Sequence, residues 1–362
     1  MASIGHVQLR GLPIQFSVPA HISAPLLTDV VRNQHEVPGR AVVDEAYGCL
    51  SSSILGHGRS TKSVVPVESL QEVKAYRDKI QGYGVSFSYL LNAPYKSTRV
   101  NSNEAFRHVV DVIETVCPDS VTVSSLEIAR MVREVDPAMD ITISTIAGIQ
   151  CPKELIPYLN IQPRTIVPHH DLGKDFDKLG VLCKFAHGEG IDIRLLVNES
   201  CIYKCRKRSA HYKHLASGMN DDVFQGWCNQ LKYDSPALWL ESGWIRPEDI
   251  SLFQSRFGIR YFKISGRAKP VSWLEETVSA YVQGTYSGNL VRLLATTPPW
   301  TTEPWNEMFV DNGSLQGFLD KLPINMEERH RYCEDWVKML QRVGKLSVKT
   351  ARLNIVSPVV NT

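Results

Sequence analysis

The segment 198–211, NESCIYKCRKRSAH, gathers residue types that bind metals and anions. Cys201 and Cys205 stand four positions apart, and Cys228 follows with 22 residues between it and Cys205. Thiolate is a soft ligand that selects zinc or iron–sulfur clusters. The spacing C-x3-C-x22-C lacks the second close ligand pair of zinc fingers and zinc ribbons. The pattern therefore favours iron–sulfur ligation, and the alternative is that these cysteines pack as small apolar residues.

Composition excludes several classes of protein. The chain has 362 residues, with 40 basic and 38 acidic side chains, so it lacks the strong positive field of a dedicated nucleic-acid binder. Residues 204–213 form a local basic patch that could attract a phosphate or carboxylate. Eight cysteines are too sparse for a disulfide scaffold, and Cys117 and Cys183 are predicted to pack on apolar helix faces. Neither a membrane span nor a secretory signal is recognisable, which predicts a cytoplasmic protein.

Short apolar runs alternate with amphipathic segments between about residues 40 and 295. Eight such pairs predict an α/β protein with a TIM-type (β/α)8 barrel. The predicted strands are 40–47, 85–92, 120–124, 140–145, 164–169, 192–198, 237–241 and 259–264. The predicted helices include 69–83, 103–116, 126–135, 176–187, 247–257, 314–322 and 326–343. We expect an N-terminal extension at 1–39, the barrel at 40–295, and a C-terminal strap with helices at 296–362.

The fold predicts where the chemistry should lie, because active sites of TIM barrels form at the carboxyl ends of the strands. Residues 200–236, after the sixth predicted strand, are too long for the usual loop of about 2–6 residues. We interpret them as a cysteine-bearing insertion that covers the barrel mouth. The polar residues predicted near the strand ends are Glu45, Tyr47, Asn92, Thr122, Ser124, Ser144, His169, His170, Asp171, Asn198, Glu199, Glu241, Lys263 and Arg267.

Four of these residues form the predicted catalytic set. His169 or His170 is the candidate general acid–base group, because imidazole titrates near neutral pH and both follow a strand. Glu199 is expected to orient the cysteine loop or a basic partner. Lys263 is expected to bind an anionic substrate, and the alternative for Lys263 and Arg267 is a structural role in an ion pair at the barrel mouth.

A second set is predicted to bind the substrate. Arg208 and Arg267 can hold a carboxylate or phosphate in bidentate geometry, which suits a small anionic molecule. Asn92, Asn198 and His211 complete this set, since each follows a predicted strand or lies in the insertion.

Three segments resemble the collagenase-like peptidase superfamily, family U32. They are NESCIYKCRKRSAHY at 198–212, WIRPEDI at 244–250 and YFKISGRAKPVSWLEETVSAY at 261–281. The third is the most specific, because its strand ends in Lys-x-x-Gly-Arg before a helix. The resemblance covers about residues 40–295. It implies a TIM-type barrel with a [4Fe-4S] cluster held by four cysteines, in a branch related to oxygen-independent hydroxylases.

The resemblance also implies an activity. Relatives hydroxylate ubiquinone precursors or RNA bases without oxygen, several with prephenate as the oxygen source, and others are reported as peptidases. We expect a non-proteolytic hydroxylase, or a related redox or transfer enzyme, that acts on a small anionic biosynthetic intermediate with an electron donor or partner subunit. The alternatives are a metal-dependent peptidase or amidohydrolase, an RNA-base hydroxylation factor, and a non-catalytic cluster-binding subunit. The near-neutral charge favours a small molecule over RNA.

The chain departs from the family in its C-terminal cysteines, of which only Cys333 is present. The expected cluster ligands are therefore Cys201, Cys205, Cys228 and Cys333. Cys49, after the first predicted strand, is the alternative fourth ligand. A cluster on three thiolates, with one iron open to substrate, is a third arrangement.

Overall fold

The computed structural model describes residues 13–20, 41–51, 53–56, 67–94, 101–216, 223–267, 269–295 and 308–349. Within them, eight parallel strands pair in chain order and close into a barrel. The strands are β1 Gln15–Pro19, β2 Val42–Gly48, β3 Ser86–Leu91, β4 Ser120–Val123, β5 Asp140–Ile143, β6 Thr165–Ile166, β7 Asp192–Leu196 and β8 Tyr261–Lys263. Since β8 pairs with β1 as well as with β7, the predicted (β/α)8 barrel is confirmed.

Helices follow the strands and cover the outside of the barrel. They are α1 Leu70–Gln81, α2 Ser102–Val116, α3 Leu126–Val135, α4 Pro152–Leu155, α5 Phe176–Gly188, α6 Arg208–Ala216, α7 Val223–Asp234, α8 Pro236–Glu241, α9 Ile250–Phe257, α10 Val271–Gln283 and α11 Met326–Arg342. Helix α2 shows why they form. Asn101 caps it in a capping box with Glu104, and Val109, Val112 and Val116 are buried at helical spacing on one face.

Two sequence predictions about the barrel are wrong. Gln15–Pro19, inside the predicted extension 1–39, is the first barrel strand, so the barrel begins before residue 40. The segment 237–241, predicted as the seventh strand, belongs to helix α8. A short apolar run fits a strand or a buried helix equally well, and here Pro236 begins a helix. The missed first strand and the false seventh strand leave the count at eight. The predicted sixth strand, 192–198, is therefore β7, and the insertion follows β7.

The barrel interior is polar where most TIM barrels stack branched apolar side chains. Arg194 on β7 donates to Asp44 over 2.7 Å and to Glu45 over 2.8 Å, both on β2. Ser17 on β1 donates to the same Glu45. The apolar core lies instead between strands and helices, where the Phe16 ring stands 6.0 Å from the ring of Tyr281 on α10.

The C-terminal region packs against the insertion. Helix α11 lies on α8, and strands β9 Met308–Val310 and β10 Leu346–Val348 form a small antiparallel sheet. Arg329 on α11 is buried and donates to the backbone oxygen of Lys174, over 2.8 Å, which ties the helix to the loop after β6.

Two other predictions concern this region. The predicted helix 314–322 is a pair of short 3-10 turns, Gly313–Leu315 and Phe318–Lys321. The proline-rich part of the predicted strap, 296–307, lies outside the described residues. Across the described ranges, every helix is too short or too polar to span a bilayer.

Candidate functional site

The cysteine loop after β7 is a compact, hydrogen-bonded turn. Lys204 adopts a left-handed backbone conformation with φ of 50°, and its backbone N–H donates to the carboxylate of Asp171 over 3.0 Å. The backbone N–H of Cys205 donates to the Ile202 oxygen. A non-glycine residue in this conformation is held there by its surroundings. The loop after β6 therefore fixes the turn that separates Cys201 from Cys205.

Two of the predicted metal ligands are in hydrogen-bond contact, and the charge of the third acts on one of them. Cys228, on α7, donates a hydrogen bond to Cys205, which lowers the pKa of Cys205 to about 6. The same hydrogen bond and burial raise the pKa of Cys228. The charge of Cys201 acts on Cys228 as well, so all three thiols share one electrostatic environment. Thiolate character at Cys205 is what metal ligation requires.

A buried lysine stands beside these thiols. Lys232 lies one helical turn after Cys228 on α7 and donates to the backbone oxygen of Ser200 over 3.2 Å. Burial lowers the pKa of Lys232, while the charges of Cys228, Cys201 and Cys205 raise it. In its ammonium form, Lys232 places a positive charge near the three cysteines, which favours their thiolate form.

Arg208 connects the cysteine loop to the loop after β6. Its guanidinium contacts Nε2 of His169 and the carboxylate of Asp171, the latter over 3.2 Å, and donates to the Ile202 oxygen over 2.7 Å. Burial, followed by the charge of Arg208, lowers the pKa of His169 to about 4. The expectation that His169 titrates near neutral pH is therefore wrong, because its imidazole stays neutral there.

His169, His170 and Asp171 also form a compact donor group. One ligand atom from each lies within 4.8 Å of the others, and all three residues are buried. The two imidazole rings stack with centroids 4.5 Å apart. Such a group can hold a metal ion, although the guanidinium of Arg208 already contacts two of its members. Like charge makes Arg208 a competitor for that position.

Lys263 and Arg267 lie at the end of β8. The Nζ atom of Lys263 stands 3.5 Å from the centroid of the Tyr47 ring. Burial lowers the pKa of Lys263 to about 7. Arg267 donates to Sγ of Cys49 over 2.9 Å.

Neither candidate for the fourth cluster ligand joins the three thiols in the described contacts. Cys333 is fully buried on α11, where burial raises its pKa to about 12 and its charged neighbours are Lys174, Glu241 and Arg329. The Sγ atom of Cys49 accepts a hydrogen bond from Arg267, which follows β8. The choice of the fourth ligand therefore stays a prediction.

The two cysteines predicted to pack in the core differ from each other. Cys183 is buried on α5, and burial raises its pKa to about 12, so this prediction is confirmed. The prediction for Cys117 is wrong. It is exposed, because it ends α2 in a left-handed conformation with φ of 49° and points away from the apolar face.

The amide of Asn198 serves the fold. Its Nδ2 donates to the backbone oxygens of Ser265 and Leu293, and its Oδ1 accepts from the backbone N–H of Ser265. These bonds tie the end of β7 to the end of β8, which leaves little capacity for the predicted substrate contact.

The remaining predicted site residues lie near the cysteine loop or at the strand ends. Glu199 is fully buried, and its carboxylate accepts from the thiol of Cys201 over 3.7 Å, consistent with orienting the loop. His211 on α6 stacks on Phe224 with ring centroids 5.2 Å apart. Asn92 follows β3 and donates to Ser144 over 3.2 Å.

Sequence reasoning missed two charged residues that shape the site. Lys232 stands four positions after Cys228, so the helical repeat puts both on one face, and that spacing was a usable signal. Arg194 lies in the middle of a strand that should be buried on both faces. A lone arginine in such a strand indicates an internal ion pair.

Comparisons with known proteins bear on the family. The chain is 24% identical, over 275 residues, to the "Uncharacterized protease MJ1657" of Methanocaldococcus jannaschii, which covers 74% of this chain and 79% of that protein. No protein-family model matches. This similarity, with the three resembling segments, supports the predicted relationship to the U32 peptidase family.

Solved structures with similar folds were also found. The U32 peptidase Mk0906 has a TM-score of 0.47 and 12% identity, covering 71% of this chain and 94% of that one. A phosphoribosyl anthranilate isomerase in complex with reduced 1-(o-carboxyphenylamino)-1-deoxyribulose 5-phosphate has a TM-score of 0.41 and 8% identity, covering 75% of this chain and 97% of that one.

Proposed function

We propose that this relative of the U32 peptidases is an iron–sulfur enzyme whose [4Fe-4S] cluster is held by Cys201, Cys205 and Cys228. The observation that carries the proposal is the hydrogen bond between Cys228 on helix α7 and Cys205 in the loop after β7, with the charge of Cys201 acting on Cys228. The hydrogen bond that lowers the pKa of Cys205 to about 6 favours the thiolate form needed for ligation.

The surroundings of the thiols suit such a cluster. Lys232 and Arg208 bring positive charge to the three cysteines and would offset the negative charge of the ligating thiolates. Asp171 holds the loop through the Lys204 backbone, so the ligand positions are built before metal binds. When bound, the cluster supplies one-electron redox chemistry or, at an iron without a protein ligand, a Lewis acid.

The other residues of the mouth suggest a small anionic substrate. Arg208 and Arg267 follow the neighbouring strands β7 and β8 at the same end of the barrel, and the guanidinium group of each can bind a carboxylate or phosphate. His169 is neutral at physiological pH, so it accepts a hydrogen bond or proton and does not act as an imidazolium acid. Oxygen-independent hydroxylation of such a substrate, with an external electron donor, is the activity we infer.

Anaerobic reconstitution with iron and sulfide tests the cluster. The wild-type chain should become brown, bleach on reduction and give the EPR signal of a reduced [4Fe-4S] centre. Cys205→Ala and Cys228→Ala should lose most of the cluster. Cys183→Ala, in a buried cysteine away from the site, is the matched control and should keep it. If both site variants bind a normal cluster, the proposed ligand set is wrong.

A second candidate function is a metal-dependent hydrolase centred on His169, His170 and Asp171. The observation in its favour is the clustering of their ligand atoms within 4.8 Å, and the curated relative is itself named a protease. A single bound Zn²⁺ would activate water for attack on an amide. Arg208→Met should then strengthen zinc binding, because it removes the competing cation. Zinc binding that is unchanged in Arg208→Met and in His170→Ala would exclude this centre.

A further inference from the structure

Lys263 is a buried amine without a hydrogen-bond acceptor. Its Nζ atom is hidden from solvent and has no hydrogen-bond partner among the described residues, although part of the side chain remains accessible. The nearest group is the face of the Tyr47 ring, 3.5 Å from Nζ to the centroid. A buried ammonium normally has carboxylate or carbonyl partners, because its desolvation is costly. The site is therefore poorly built for a permanent ammonium.

The acidic side chains near Lys263 are already paired with another cation. Asp44 and Glu45 are its acidic neighbours, but both already bind Arg194, over 2.7 and 2.8 Å. Arg194 and Arg267 add two positive charges that oppose protonation of Lys263. Burial acts in the same direction and is the largest cause of a pKa near 7. A lysine that is desolvated and placed beside other cations is an activated nucleophile.

Its position adds a second argument. Lys263 is the last residue of β8, at the end of the barrel where TIM-barrel chemistry takes place. Gly266 and Arg267 follow in the turn above it, and Arg267 provides a guanidinium for an anionic group. The amine thus lies against a ring face and within electrostatic reach of a guanidinium.

We propose that Lys263 forms an imine with an aldehyde or a 2-oxo acid whose carboxylate is bound by Arg267. The nitrogen lone pair attacks the carbonyl carbon to give a carbinolamine. Its hydroxyl group then leaves as water, with a proton from solvent, and a protonated C=N bond remains. No oxidant or reductant is consumed, and hydrolysis reverses the step. The Tyr47 ring would stabilise the iminium cation through a cation–π contact. The inference goes beyond the cluster and does not depend on it.

Reductive trapping tests the imine. The full-length, anaerobically purified chain is incubated with pyruvate and cyanoborohydride, and the labelled lysines are located by peptide mass spectrometry. At pH 7, about half of a lysine with a pKa near 7 is neutral, against less than about 0.1% of an ordinary lysine. Lys263 should therefore be labelled on the order of 1,000-fold faster than the exposed Lys184.

Four variants and a pH series complete the test. Lys263→Arg should abolish the fast label, and Lys184→Arg should leave it unchanged. Arg267→Met, which keeps the amine, should raise the pyruvate concentration needed for half-maximal labelling by about tenfold or more. The fast label should be half-maximal near pH 7. Labelling of Lys263 at the rate of Lys184, or no label at Lys263, overturns the proposal. Cys228→Ala should trap pyruvate normally, so failure of the cluster and failure of the imine are distinguishable.

Discussion

Replacing Arg208 by methionine should raise the pKa of His169. Burial is the largest cause that lowers this pKa from its ordinary value of 6.5 to about 4, and the charge of Arg208 is the second. Removing the second cause while the first remains should raise the pKa by on the order of 1 unit. In the variant, the pKa of His169 should therefore lie above about 4 and below 6.5.

The same shift predicts how stability depends on pH. A histidine whose pKa is lower in the folded state binds protons more readily when unfolded, so the fold loses stability as pH falls from 6.5 towards 4. The difference of about 2.5 units corresponds to about 3 kcal/mol at the acidic end. In Arg208→Met this acid-induced loss should shrink by about 1 kcal/mol.

Nitrogen-15 NMR of the imidazole rings measures the pKa directly, with the His169 signal assigned from a His169→Gln spectrum. Urea unfolding at a series of pH values gives the stability. Arg208→Lys is the control, because it keeps the positive charge and should keep the pKa low. A His169 pKa that stays near 4 in Arg208→Met would show that the guanidinium has no effect. A value that returns to 6.5 would show that burial has none.

Three further variants test the framework of the site. Gly266→Ala should destabilise the chain by on the order of 1–3 kcal/mol or more in urea unfolding. The reason is that Gly266 has a φ of 136° and that a Cβ atom at this position would lie 2.3 Å from the Trp273 ring. Unchanged stability of the variant would contradict this. Arg194→Met should cost about 3–5 kcal/mol at pH 7, because Asp44 and Glu45 lose their buried partner, and the cost should fall at acidic pH as Asp44, whose pKa is raised by burial, becomes protonated. Asn198→Ala should lower stability by about 1–3 kcal/mol, because the backbone N–H of Ser265 loses its acceptor. A change in substrate affinity alone, with unchanged stability, would instead support the predicted role of Asn198 in substrate binding.

Much of the fold could be predicted from hydrophobic periodicity. The predicted helix 126–135 matches α3 in full, and α2, α5 and α11 differ by a residue or so at their ends. Amphipathic spacing over ten or more residues leaves little choice of structure. The segment 237–241 failed because five apolar-rich residues fit either a strand or a buried helix. Gln15–Pro19 was missed because one short strand has too little periodicity to be recognised alone.

The site could be predicted in part. Cysteine spacing predicted that Cys201, Cys205 and Cys228 act together, and the structure places Cys205 and Cys228 in hydrogen-bond contact. Burial and neighbouring charge could not be predicted, and they decide the chemistry. They make His169 neutral, lower the pKa of Lys263 to about 7 and occupy the amide of Asn198. These properties arise from contacts between residues that are distant in the chain.

The metal content of the purified chain tests the central claim most directly. The chain is isolated without exposure to oxygen, and iron, acid-labile sulfide and zinc are measured per polypeptide, with Mössbauer spectra of the iron. A cluster on Cys201, Cys205 and Cys228 predicts about four iron and four sulfide, with a spectrum in which one iron differs from the other three. About one zinc per chain with no iron or sulfide, before and after anaerobic reconstitution, would contradict the account.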